Sequence, residues 1–301
     1  MNFKKPKFWD YQKPNFVSFL VSPLTIPLRI NNFLLDFKTK KKLNIKTICV
    51  GNIYIGGTGK TPTTIKLFDI LNNMNLKVVT GKKFYSEHYD EKTILEKKTK
   101  LISAKSRREI LKNAINQKID LVIFDDGLQD NKIDYDIKVV CFDGRNWIGN
   151  GCLIPSGPLR EKLSSIKKYD AIFLKDAEND TDSILEILKK YSSKIKVFKT
   201  KSIPLNLEKF NLRDKFIAFS GIGNPQNFSN ILLQNKFNIV EEFIFADHHE
   251  YSTNELKKIK EKAKLINADI ITTEKDYFRI SEKDRSGIDY LEIDLKIEHE
   301  K

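Results

Sequence analysis

Residues 46–70 read KTICVGNIYIGGTGKTPTTIKLFDI, and the fold follows from how this stretch is parsed. An apolar run of strand length, 46–50, passes through a glycine-rich turn into a segment, 61–74, whose apolar residues recur at every third or fourth position, the period of an α-helix. The turn itself is Gly56-Gly57-Thr58-Gly59-Lys60-Thr61. Between a strand and a helix this composition has a physical use. Glycines let backbone N–H groups close around phosphate oxygens, and the helix N-terminus adds the positive end of its dipole. The lysine reaches the outer phosphates, and the threonine hydroxyl ligates magnesium. The pattern GxxxxGK[ST] places its first glycine at position 54, where this chain has Tyr54, so the loop runs Tyr54, Ile55, Gly56 and on to Thr61 with that glycine replaced.

Working outward, residues 121–124 (LVIF) form a second apolar run ending in Asp125-Asp126-Gly127, the form of a Walker B strand. A carboxylate at that strand end completes the shell of a magnesium ion, and the first aspartate, Asp125, is the expected ligand. Further strands are expected at 77–80, 138–142, 171–174 and 196–199, with helices at 106–116 and 182–191. This alternation is the signature of a mostly parallel sheet flanked by helices, and with the loop it predicts an α/β chain of the P-loop NTPase fold. An irregular stretch, 201–213, contains Pro204. A second alternation follows it: strand 216–219, helix 225–234, strand ending at 245, helix 253–265 and strand 270–273. The expected organisation is an N-terminal segment over 1–43, a P-loop core over 44–200, a linker over 201–213 and a smaller C-terminal α/β domain over 214–301.

Of the 301 residues 40% are hydrophobic and 31% charged, which excludes a disordered chain and allows a sizeable core. The formal net charge of +13 fits an anionic partner (nucleic acid, a membrane surface or an acidic substrate) or an ordinary solvated lysine face, and alone it decides nothing. No nucleic-acid module or basic-aromatic motif is present, so nucleic acid is not expected. Cys49, Cys141 and Cys152 have no CxxC spacing, which excludes a zinc ribbon and a disulfide framework. Near the N-terminus, residues 16–30 (FVSFLVSPLTIPLRI) are too short and too interrupted by Pro23 and Pro27 to span a bilayer. Lys4, Lys5 and Lys7 precede them and the run 38–42 (KTKKK) follows, so the segment reads as an interfacial anchor for an anionic membrane surface, or else as a helix packed into the core.

Three other clusters bear on chemistry. Asn131-Lys132-Ile133-Asp134 spells the guanine-reading NKxD motif, but it follows no apolar run and sits beside the Walker B aspartates, where such a motif does not belong. The glycine and proline loop from Gly149 to Glu161 (GNGCLIPSGPLRE) ends in Arg160 and Glu161, suited to phosphate and to the metal shell respectively. Asp247-His248-His249 ends the strand at 245, and a histidine beside a carboxylate reads as a tuned acid or base.

Taken together these segments resemble the tetraacyldisaccharide 4′-kinase family. The resemblance rests on Val50-Gly51-Asn52 leading into GGTGKTP, Asp125-Asp126-Gly127-Leu128-Gln129, the loop from GNG to PSGPLRE, Ser220-Gly221-Ile222-Gly223-Asn224-Pro225, Asp247-His248-His249 and Thr272-Thr273-Glu274-Lys275-Asp276. It implies ATP- and Mg²⁺-dependent phosphorylation of the 4′-hydroxyl of an acylated glucosamine disaccharide 1-phosphate lipid, giving lipid IV(A), at the cytoplasmic face of a bacterial inner membrane. The family's Gly-Asp-Glu-Pro motif falls on Tyr89-Asp90-Glu91-Lys92, which implies Asp90 as catalytic base and Glu91 as a metal ligand beside Thr61, Asp125 and Glu161. His248 is implied as the partner of that base, with Lys60 and Arg160 spreading charge on the transferred phosphoryl group. Chain order puts Asp90 in the first domain and His248 in the second. The sequence departs from the family at Tyr89 and Lys92, at Asp130 where the family usually has histidine, and in the shortened segment Gly81-Lys82-Lys83-Phe84. The competing reading is a membrane-associated P-loop ATPase switch that acts with a protein partner.

Overall fold

The computed structural model describes residues 5–37, 40–84, 89–130, 132–177 and 181–298. Asn131 of the NKxD segment, and Lys4 and Lys38 of the basic flanks, lie outside them. In chain order the elements are α1 (Phe16–Val21), α2 (Ile26–Asp36), β1 (Lys46–Gly51), α3 (Lys60–Asn73), β2 (Val78–Lys83), α4 (Tyr89–Lys98), β3 (Leu101–Ala104), α5 (Arg107–Asn116), β4 (Leu121–Asp125), β5 (Ile137–Asp143) and β6 (Ala171–Lys175). They continue with α6 (Thr181–Tyr191), β7 (Lys196–Pro204), β8 (Lys215–Ser220), α7 (Pro225–Gln234), β9 (Asn238–Ile244), α8 (Thr253–Ile266), β10 (Ala268–Thr273), α9 (Glu274–Arg279), β11 (Asp289–Leu291) and β12 (Ile293–Ile297).

These elements make two compact units. The larger contains residues 5–84, 98–202 and the chain from 295 onward; the smaller contains 85–97 and 203–294. In the larger unit eight strands lie in the order β12-β7-β6-β5-β1-β4-β2-β3, and the ladders from β7 to β3 are parallel. Successive side chains of a strand point to opposite faces, and both faces here are covered. On β4, Val122 and Phe124 join one core with Ile110 and Leu111 of α5 and Ile184 and Leu188 of α6, while Ile123 joins the other with Phe68 of α3 and Leu295 of β12. Two-sided burial explains why these strands read as unbroken apolar runs. β1 pairs with β4 on one side and β5 on the other, so the loop after β1 lies where the winding of the sheet reverses, the usual place for a ligand in such sheets.

The smaller unit repeats the architecture on four parallel strands, β11-β10-β8-β9. Phe228, Ile231 and Leu232 of α7 pack on one face against Phe216 and Ala218, and Leu256, Ile259 and Ala263 of α8 on the other against Ile217 and Phe219. Two excursions depart from chain order. The helix α4 belongs to the smaller unit although the chain on both sides of it builds the larger, and β12 returns from the smaller unit to the large sheet. Residues 201–204, expected in a linker, continue β7. The sequence of α4, YDEKTILEKK, buries Asp90, Ile94 and Leu95 and has no apolar stripe. It is helical through good helix formers and through acids in its first turn, which periodicity does not register.

Candidate active site

The phosphate loop opens α3. Gly59 holds the left-handed conformation at φ 86° as the residue before the helix, and Gly56 has φ 120°. At such angles an L side chain is strained, so glycine is required at these positions. A Cβ on Gly59 would also come within 3.1 Å of Lys175, whose ammonium pairs with Asp143 at 2.9 Å. Behind the loop, Thr61 Oγ1 donates to Asp125 Oδ2 at 3.2 Å and Thr64 Oγ1 to Asp125 Oδ1 at 3.4 Å. Lys82 Nζ donates to the same Oδ2 at 2.6 Å. Asp125 is therefore a buried carboxylate matched by one cation and two hydroxyls, which is how a charge survives burial. Its neighbour Asp126 has φ 59°. Lys60 Nζ lies 3.9 Å from Asp126 Oδ2 and Arg160 Nη1 3.6 Å from Asp126 Oδ1, so the two cations expected to act on phosphate share one carboxylate.

Tyr54, at the place of the missing glycine, contributes its backbone to the loop and its ring to the packing. The ring is buried with Leu28, Leu153 and Leu159, and its hydroxyl accepts from Lys5 at 2.6 Å. Asn52 Nδ2 donates to Tyr54 O at 2.6 Å and to Gly56 O at 3.3 Å, which braces the loop entry where a glycine turn is absent. Glu161 accepts from Gln129 Nε2 at 2.9 Å and from the Tyr169 hydroxyl at 3.0 Å. Burial and the adjacent Glu161 carboxylate push the Tyr169 phenol well above its usual pKa, so it stays a donor to Glu161.

The N-terminal segment packs with its polar residues inward. The buried Ser18 hydroxyl accepts from Asn150 Nδ2 at 3.0 Å, Asn32 Nδ2 donates to Arg160 O at 2.9 Å, and Trp9 Nε1 donates to Pro155 O at 3.0 Å. Most apolar residues of α1, α2 and the turn after α2 face outward: Phe16 is 79% exposed, Phe19 66%, Leu20 70%, Phe33 63% and Phe37 73%. Ordinary surface helices have the opposite polarity. Among the described residues no helix is long and apolar enough to cross a membrane.

The smaller unit holds a second cluster, and it contains both Asp90 and His248. Asp90, in the first turn of α4, is 2% exposed. Arg279, the last residue of α9, donates to Asp90 Oδ2 from Nη2 at 2.6 Å and from Nε at 3.0 Å, and from Nη1 to Asp276 Oδ1 at 2.9 Å. Lys275 Nζ donates to Glu91 Oε1 at 2.6 Å. His248 has φ 58°, strain of about 1–3 kcal/mol for a residue other than glycine, of the kind that gathers at functional sites. Its Nδ1 is 3.9 Å from Asp90 Oδ2, too far for a hydrogen bond, and 3.4 Å from Arg279 Nη2. Burial pushes the Asp90 carboxyl up, but the Lys275 and Arg279 charges outweigh it and hold the group below the ordinary aspartate value. Burial lowers the His248 pKa, Arg279 and Lys275 lower it further, and Asp247 and Asp90 only partly oppose them.

The structure thus brings Thr61 to Asp125, Lys60 and Arg160 to Asp126, and Asp90 near His248, while Glu91 and Glu161 are taken up by Lys275 and by Gln129 with Tyr169. Sequence reading did not single out Lys82, Lys275 or Arg279. Lys82 and Lys275 lie in segments already noted, GKKF and TTEKD. Arg279 gave only one signal, its place one helical turn after Asp276.

A strand, a glycine loop with lysine and threonine, and a carboxylate at the end of the neighbouring strand define a P-loop nucleotide-binding protein, here with a second α/β unit that holds an acid, a histidine and an arginine. The chain belongs to the tetraacyldisaccharide-1-P 4′-kinase family, whose model matches residues 17–301. It is similar to the tetraacyldisaccharide 4′-kinase of Pelagibacter ubique (strain HTCC1062), 44% identical and covering 100% of this chain and 96% of the relative, and to that of Rickettsia akari (strain Hartford), 34% identical and covering 97% and 93%. The fold matches the crystal structure of the "apo" form of LpxK from Aquifex aeolicus in complex with ATP, with a TM-score of 0.70 at 22% identity, covering 94% of this chain and 96% of that one.

Proposed function

We propose that the protein transfers the γ-phosphoryl group of ATP to the 4′-hydroxyl of an acylated glucosamine disaccharide 1-phosphate, forming lipid IV(A) in lipid A biosynthesis. The observation that carries this reading is the glycine loop with Thr61 Oγ1 set 3.2 Å from Asp125 Oδ2, in a chain of this family. The loop amides and Lys60 bind the nucleotide phosphates. Lys60 and Arg160, which share Asp126 here, turn to the phosphoryl oxygens as charge develops on them. Thr61 and Asp125 form an all-oxygen donor set that suits Mg²⁺, and they would hold the ion. When bound, Mg²⁺ neutralises charge on the β- and γ-phosphates. Glu161 and Glu91 are expected to complete the metal shell, and here Glu161 accepts from Gln129 and Tyr169 and Glu91 from Lys275. Asp90 takes the proton of the attacking hydroxyl, and its lowered pKa keeps it ionised for that role at neutral pH.

The acceptor is a lipid, and the outward apolar face of α1 and α2 is suited to its surroundings. We assign that face to the headgroup boundary of an anionic membrane, on the cytoplasmic side of the inner membrane, with the neighbouring lysines toward acidic lipids. Replacing Phe16, Leu20 and Phe33 together by serine should weaken sedimentation with anionic vesicles by about 10² or more, since each buried side chain contributes about 1.5–3 kcal/mol. Wild-type protein that ignores such vesicles at low salt overturns the assignment. Incubation with labelled ATP and a panel of acylated disaccharides tests the reaction itself. Label should appear on the tetraacylated 1-phosphate lipid. An ATPase rate that rises with a protein partner and not with lipid would support the switch reading instead.

A further inference from the structure

Asp90 on α4, His248 after β9 and Arg279 on α9 come from three stretches of chain, and within the smaller unit one guanidinium touches both of the other side chains. We propose that Arg279 is the positioning residue of the base: it fixes the Asp90 carboxylate, and it sets His248 as a neutral ring that accepts at Nδ1. This rests on the reading of Asp90 as the base.

Nε and Nη2 of Arg279 both donate to Asp90 Oδ2. The Arg279 contacts fall on Oδ2, and Oδ1 is the oxygen we assign to the substrate hydroxyl. The guanidinium is itself held. Nη1 donates to Gly221 O and to Asp276 Oδ1. Asp276 is fixed in turn by the Thr273 hydroxyl at 2.6 Å and the Tyr251 hydroxyl at 2.9 Å. A planar guanidinium held on its other edge and donating twice to one oxygen fixes where that oxygen sits, with a directionality a lysine ammonium lacks. Arginine keeps its protons at any accessible pH and has no acceptor atom. Asp90 beside it therefore remains a free carboxylate, and the ring nitrogen facing Nη2 must accept, which puts the His248 proton on Nε2. The other charged groups in this cluster are Lys275 and Asp276 on α9, Glu91 on α4 and Asp247 beside the histidine. None of them replaces the two-point contact on Oδ2.

The experiment compares wild type, Arg279→Lys, Arg279→Gln, Asp90→Ala and Asp90→Ala/Arg279→Gln for kcat, KM for ATP and melting midpoint, using labelled ATP and the acylated disaccharide 1-phosphate. Arg279→Gln should lose about 10² in kcat, the scale of a misplaced reacting group, with KM for ATP within about twofold. Arg279→Lys keeps the charge and the fold, and should still lose most of this rate. Added guanidinium should restore part of the Gln variant's activity. In the Asp90→Ala background the Gln substitution should cost nothing more, because a positioning residue has nothing left to position. The ¹⁵N shifts of His248 in wild type should report the Nε2–H tautomer. Wild-type kcat in Arg279→Lys with an inactive Asp90→Ala, a multiplying loss in the double variant, or an Nδ1–H tautomer each overturns the proposal while leaving the kinase reading intact. Full activity in Asp90→Ala removes the base assignment, and this proposal with it.

Discussion

Asp125 in the larger unit and Asp90 in the smaller one are the same residue at nearly the same burial, each with a cation 2.6 Å from Oδ2, Lys82 in one case and Arg279 in the other. What surrounds that pair differs. The remaining neighbours of Asp125 are hydroxyls, from Thr61 and Thr64, so its surroundings are rich in oxygen and invite a hard cation. Around Asp90 the Lys275 charge outweighs that of the neighbouring Glu91, and the histidine beside it has its pKa lowered by burial and by nearby cations. Such surroundings already supply positive charge to the carboxylate. On the function proposed above, one buried aspartate holds an ion and the other accepts a proton, and the difference in their neighbours fits that division, as environment commonly divides acids in active sites.

The strongest way to break this comparison is to remove Asp90. Asp90→Ala should lower kcat by about 10² to 10⁴, the range that general-base catalysis supplies, and leave ATP affinity largely unchanged. Nucleotide titration of the same preparation separates the two quantities. If ATP binding falls in step with kcat, Asp90 belongs to the nucleotide site and the division between the two carboxylates fails.

On the other side of the comparison, Lys60→Ala and Thr61→Ala should each cost at least about 10² to 10³ in turnover, the loss that follows removal of one preorganised contact to the developing charge. Here ATP binding should weaken as well for the lysine variant, the reverse of the Asp90 signature. Near wild-type turnover in either variant means that the γ-phosphate is held by other groups.

The two sites were unequally legible for a reason visible in their residues. Tyr54 to Thr61 is one contiguous turn between a strand and a helix, and Asp125 ends a four-residue apolar run, so local composition placed both and the sheet brought them together. The parallel sheet was equally readable, because strands covered on both faces, such as 121–125, are unbroken apolar runs. The Asp90 cluster is composite. Its helix has no apolar stripe, its unit is entered out of chain order, and Arg279 becomes significant only once α9 is folded beside α4. No spacing rule links positions 90, 248 and 279. Resemblance to the family supplied Asp90 and paired it with His248, already noted beside its aspartate, but it did not supply the arginine between them. β12 was missed although its alternation, Ile293, Leu295 and Ile297 with polar residues between, is the ordinary mark of a strand.

A sharper test asks each carboxylate for its ion. Lys82→Gln leaves Asp125 buried without its ammonium, which should cost about 3–5 kcal/mol of stability. Mg²⁺ should restore part of that loss, measured as a rise in melting midpoint with added magnesium but not with added potassium. Arg279→Gln strips the cation from Asp90 in the same way, yet Mg²⁺ should not recover it, because among the described residues no hydroxyl donates to that carboxylate. Equal recovery of both variants would erase the chemical distinction between the two sites.

The smallest effect separates the units by pH. Folding lowers the pKa of His248, through burial first and the charges of Arg279 and Lys275 after it. The unfolded chain then binds a proton at the ordinary histidine value of about 6.5 while the folded chain still refuses it. Between that value and the lower folded one the unfolded state holds more protons, so stability falls as pH falls through this window and is fully present above it. The larger unit has no histidine among its described residues, so no described imidazole there predicts a decline over the same range. Hydrogen exchange on the amides of β8 and β10, corrected for the intrinsic pH dependence of exchange and compared with β1 and β4, reads the two units in one sample. Protection in β8 and β10 should decline from pH about 7.5 to about 5.5, and His248→Gln should flatten that decline. A decline that survives the substitution would assign the proton to another group. A decline shared by β1 and β4 would show that the two units unfold as one, and the comparison between their carboxylates would then have to be made on kinetics alone.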